Sequence, residues 1–109
     1  MPVTVLPVES NKPALGLEVS WEGGQYVQVI AHRGVLTCGV VDMAVMEKFG
    51  SAFALTRSTP EKPLRTVSDL LNARILEVTS AAAALGVEKG MSGTEALEKL
   101  CGLGNEYLL

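Results

Sequence analysis

The sequence is poor in the residues that build disulfide, metal and nucleophilic sites. Two cysteines, Cys38 and Cys101, and one histidine, His32, are all that 109 residues supply. Two thiols are too few for a secreted disulfide scaffold. Cys38, Cys101, His32 and Asp42 show none of the paired ligand spacings of a zinc centre, so neither a metal nor a cofactor is expected. Basic charge is scarce as well: nine Lys and Arg stand against twelve Asp and Glu, a net charge of −3. Nucleic-acid binding needs a basic footprint to neutralise phosphates, so no nucleic-acid partner is expected. No apolar stretch approaches the roughly 20 residues that cross a bilayer. Met1-Pro2-Val3-Thr4 lacks the basic start and apolar run of a signal peptide. The expected location is therefore the cytoplasm, with no membrane partner.

What is abundant is apolar side chain. Hydrophobic residues make up 48% of the chain and charged ones 19%, more apolar and less charged than is usual. Surface scaling gives roughly 5,800 Å² exposed when folded against about 16,700 Å² unfolded, enough burial for one core without staples. A small domain has the most surface per residue to cover with polar groups. The apolar surplus therefore points to a second subunit, and a homo-oligomer is expected.

Strand-like residues dominate before Pro60 and helix-like ones after it, the order of an α+β layer architecture. We expect an antiparallel β-meander of four to five strands with three to four short helices packed on it. Residues 3 to 8 suit an edge strand that tolerates Pro7. Leu15, Leu17, Val19 and Trp21 alternate with Gly16, Glu18, Ser20 and Glu22, the period of a half-buried strand. Turns at Gly23-Gly24 and Arg33-Gly34 lead to strands over 26–32 and 35–41. A three-residue first loop would place Val27, Val29, Ala31, Leu36, Cys38 and Val40 in one core layer with Trp21. His32 would then face away. A one-residue slip would reverse that choice.

Asp42 is positioned as a helix N-cap, followed by an apolar stripe of Val45, Met46 and Phe49 that Gly50 ends. Residues 52 to 57 read as a further strand. Thr66 to Asp69 matches a capping box, with Val67, Leu70 and Leu71 turned inward. Val78, Ala81, Ala82 and Leu85 have helical spacing, and Gly86 stops them. Ser92-Gly93-Thr94-Glu95 is a second capping box. It opens a last helix lined by Leu97, Leu100 and Cys101.

Gly34-Val35-Leu36-Thr37-Cys38-Gly39-Val40-Val41-Asp42 resembles the strand-to-helix motif of the YunC-like family, a family of unknown function in bacteria and archaea. Thr66-Val67-Ser68-Asp69-Leu70-Leu71 and the segment from Leu85 to Leu97 resemble its C-terminal half in the same order. The resemblance implies that residues 1–109 form one small α+β domain, and it brings no mechanism with it.

Two sets of residues carry candidate chemistry. Cys38 lies four residues before a helix start, where partial positive charge favours thiolate, with Asp42 at the cap. A hydrolase or transferase would also need a base, and His32 belongs to the opposite face. Arg57, Lys62 and Arg65, with Ser58, Thr59 and Thr66, lead into a helix N-terminus, a combination that holds phosphate or carboxylate. The leading expectation is a homo-oligomeric binding or structural module with a small anionic ligand. The alternative is a Cys38-dependent hydrolase or transferase.

Overall fold

The computed structural model describes residues 3–8, 14–57 and 61–101, which contain six strands and four helices. The strands are β1 (Val3–Val8), β2 (Ala14–Trp21), β3 (Gly24–Ile30), β4 (Val35–Thr37), β5 (Phe53–Leu55) and β6 (Glu77–Val78). They form one sheet in chain order, β1-β2-β3-β4-β5-β6. The helices are α1 (Met43–Lys48), α2 (Val67–Asn72), α3 (Ser80–Ala84) and α4 (Gly93–Cys101). This is the α+β architecture expected from the sequence, with two additions. First, β4 and β5 pair in parallel, which a hairpin cannot achieve and which the intervening α1 makes possible. Second, Val78, expected in a helix, instead pairs with Ala54 as part of β6. Helix α3 begins two residues later, capped by Thr79.

The local start signals act as the sequence predicts. Asp42 Oδ1 accepts from the Ala44 and Val45 N–H groups at 3.1 and 3.2 Å, capping α1. Thr66 and Asp69 form a complete capping box on α2. Ser92 and Glu95 exchange the same pair of bonds at the start of α4. Each cap satisfies N–H groups that a helix leaves unpaired in its first turn.

Register is where the structure departs from expectation. Trp21 pairs with Gly24 across a two-residue Glu22-Gly23 turn, so the expected three-residue loop does not form. Trp21 therefore shares its face with Tyr26, Gln28 and Ile30, and Val27 and Val29 lie on the other. Val27, Val29, Leu36 and Cys38 are buried as expected, but away from Trp21, which is 45% exposed. The second turn is also longer than expected, with Ile30 opposite Val35 and the Ala31 N–H donating to Gly34 O at 2.9 Å. That change moves the pairing by two residues. Two is one full side-chain period, so the inward set survives. Val40, expected in the core, is 59% exposed because β4 ends at Thr37. The α1 stripe is not buried either: Val45 and Phe49 are exposed, and no residue of α1 is fully buried.

The helices cover the more polar face of β2. Gly16 lies on that face, where a Cβ would come within 2.6 Å of Val67 Cγ2. Its missing side chain lets α2 approach the strand. Val67, Leu70, Ala96, Leu97 and Leu100 then close over Val27, Val29 and Leu36 in one core. The opposite face bears Val3, Val5 and Pro7 of β1 beside Val19, Leu17 and Leu15 of β2.

Candidate functional site

Cys38 follows β4 and is 3% exposed. Its N–H donates to Val27 O at 3.2 Å, and its carbonyl accepts from Thr37 Oγ1 at 3.1 Å. Val27 lies within β3, whereas His32 lies beyond its end, exposed in the turn after Ile30, so the strand carries the imidazole away from the buried thiol. The two do not form a nucleophile–base pair. Asp42 is committed to the α1 cap, so its carboxylate serves the backbone rather than the thiol. Cys38 and Cys101 are both buried and form no disulfide with each other. Among the described residues, no group of three or more His, Cys, Asp or Glu side chains could hold a metal ion.

The basic segment divides. Ser58 and Thr59 lie outside the described residues. Arg57 and Lys62 line one cleft of about 470 Å³ together with Leu64, Asp69, Asn72 and Arg74. Arg65 instead lines a separate cleft of about 590 Å³ with Thr4, Glu18, Ser20, Trp21 and Gln25. Thr66 lines neither cleft and is the N-cap of α2, its Oγ1 accepting from the Asp69 N–H at 3.1 Å.

The α2 start expected to receive an external anion already has internal ones. Asp69 Oδ2 accepts from the N–H groups of Arg65 and Thr66 at 3.1 and 3.2 Å. Glu18 Oε2, reaching across from β2, accepts from the Val67 N–H at 2.7 Å. The Arg65 N–H bond is the main cause holding the Asp69 carboxyl below its ordinary pKa, assisted by Thr66 and the Arg65 charge. A carboxylate in this position also complements the positive end of the helix.

In the first cleft, Arg57 approaches Glu77 at 3.8 Å, with both side chains more than half exposed. Such a pair contributes little to stability. Arg74 is steadied by a bond from Nη1 to Gly90 O at 3.2 Å. The cleft thus gathers three cationic side chains, while the carboxylate of Asp69 is taken up by backbone amides.

Residues 37–100 match the family described as a domain of unknown function, DUF1805. The uncharacterized protein YunC of Bacillus subtilis (strain 168) is 30% identical over 90 residues, which cover 83% of this chain and 88% of YunC. The chain belongs to the DUF1805 family. Its fold is also that of a solved protein of unknown function, TA1206 from Thermoplasma acidophilum. The TM-score is 0.81, covering 91% of this chain and 93% of TA1206, at 18% identity. For this DUF1805 domain the matched segment runs from the end of β4 through α4, and so includes Cys38 and both cleft arginines.

Sequence reasoning missed four residues. Glu18 reads as an outward residue in an alternating strand, and nothing nearby announces that a helix 49 positions later will use it. Arg74 lies beyond the basic segment and joins the cleft only through the path of the chain after α2. Thr37 and Thr56 are fully buried, joined where the Thr56 hydroxyl donates to Thr37 O at 3.1 Å. Only the parallel pairing of β4 and β5 brings those two together.

Proposed function

We propose that this DUF1805 domain is a self-associating, non-catalytic module of the cytoplasm, a single unit that works as a homo-oligomer. One observation carries the reading: large apolar side chains stand exposed in β1, β2, β3, α1 and the loop before α1, including Val5, Leu15, Trp21 and Phe49. Contiguous exposed apolar patches larger than a few hundred Å² are uncommon in monomers and mark association sites. Sedimentation at micromolar concentration should return a multiple of the 11.5 kDa chain mass. A monomer throughout the concentration range would reject the proposal.

A small anionic ligand fits the same module at the cleft of Arg57, Lys62 and Arg74, favoured by the convergence of those three cations. Phosphate should raise the melting temperature more than chloride at matched ionic strength, a control that removes general screening. Replacing Arg57 and Arg74 by Ala should abolish the difference. Equal effects of the two salts would leave the cleft without a ligand of this class. The burial of the Cys38 thiol and the commitment of Asp42 to the α1 cap lend no support to a hydrolase or transferase there.

A further inference from the structure

Two apolar surfaces compete to carry the self-association: the bare face of β1–β3, with Val3, Val5, Leu15, Trp21 and Ile30, and the exposed side of α1, with Val45 and Phe49. We propose that the occupant of the sheet face is a second copy of this chain, the two sheets stacking face to face as an isologous dimer. The proposal rests on the self-association reading and names its surface.

Charge decides first. By register, the bare face of β1–β3 bears no Asp, Glu, Lys or Arg among the described residues. An acidic or basic partner would find nothing complementary there, whereas an identical apolar face is complementary to itself. The α1 surface, in contrast, interleaves Val45 and Phe49 with exposed Glu47 and Lys48. Depletion of charge is what distinguishes the core of an interface.

Area and shape agree. Strand spacing and rise give β1–β3 roughly 14 by 24 Å, or about 340 Å² in plane before side-chain relief is counted. That suffices for the apolar core of a standard interface of about 800 Å² per partner. Trp21 lies across Gly24 and 6.1 Å from the Tyr26 ring. It presents a broad aromatic surface along the sheet, the kind of anchor that dominates binding energy. Stacked sheets pack about 10 Å apart through such interleaved side chains.

The edges offer no equal alternative. Strand β1 contains Pro7, which lacks a backbone donor, and β6 at the far edge is two residues long. Neither supports an extended ladder with another chain.

Sedimentation equilibrium of the full chain, read alongside acrylamide quenching of Trp21, tests the surface. Trp21 is the sole tryptophan, so its emission reports this face directly. The unmodified protein should be a dimer whose Trp21 becomes at least threefold less quenchable as concentration rises through the association range. The double variant V5K/L15K should be a folded monomer with an open Trp21, and V45K/F49K should remain dimeric. Both pairs are exposed, and melting curves verify that each variant folds. Should V5K/L15K stay oligomeric, or V45K/F49K become monomeric, the sheet face is the wrong surface and self-association itself stands. Association that leaves Trp21 quenching unchanged in the unmodified protein overturns the surface without any variant. An unmodified monomer overturns both readings and leaves the face to a different protein or a lipid surface.

Discussion

Gly93→Ala probes the contact that fixes the helical layer. Gly93 is the first residue of α4, and its N–H donates to Ala73 O at 2.8 Å. Beside it, Thr94 Oγ1 donates to Leu71 O at 3.2 Å, so the start of α4 is held against the end of α2. A Cβ on Gly93 would collide with the Leu70 carbonyl oxygen and lie 2.8 Å from Leu71 Cα. Both obstacles are backbone, so no rotamer change relieves them and α4 must back away. Ala96, Leu97 and Leu100, all at most 2% exposed, would lose packing as it does so. Overpacking of this kind costs about 3 kcal/mol, and the better helix propensity of alanine returns at most about 1 kcal/mol. A net loss of about 2 kcal/mol corresponds to a melting temperature roughly 8 °C lower for a domain of this size. Calorimetry of both proteins at equal concentration measures it, the match being needed because association also shifts melting. An unchanged or higher melting temperature would refute the argument from close approach.

Three further outcomes follow from the geometry. Thr79→Val should cost about 2–3 kcal/mol in urea denaturation, because the Thr79 hydroxyl donates to Ser51 O at 2.6 Å and accepts from the Phe53 N–H at 3.0 Å. A loss well under 1 kcal/mol would show those bonds to be dispensable. Cys38 should react with a thiol reagent in folded protein only as fast as the domain opens, and a rapid stoichiometric burst near neutral pH would contradict its burial. Asp69 and Glu95 have carboxyls lowered mainly by the backbone N–H groups of Arg65 and Ser92 respectively. Their stabilisation is present above the ordinary carboxylate range and is lost as pH falls through the lower folded values. Melting temperature should therefore decline on acidification, less steeply in the D69N/E95Q variant. An identical slope in the variant would remove these caps as the cause.

The chain order of elements other than β6 was legible because its signals are local. Asp42, Thr66 and Ser92 announce helix starts through bonds spanning two or three residues, and those caps form as read. Alternation likewise marked Leu15 to Trp21 as a strand with one apolar face. It could not say which face the helices would take, because apolar residues go inward only when something packs there. That choice belongs to tertiary contacts: Gly16 makes room for Val67, and Glu18 supplies the anion for the α2 start. Val27 and Val29 supply the matching apolar surface on the neighbouring strand. Together they turn Leu15, Val19 and Trp21 outward. The candidate cleft divides for a related reason. Arg57 and Lys62 are near in sequence to Arg65, but α2 begins between the two clefts, and only the folded path brings Arg74 to the first. Local caps and side-chain alternation determined where the helices begin and which segments other than β6 are strands, and long-range packing decided which side of each the rest of the protein would cover.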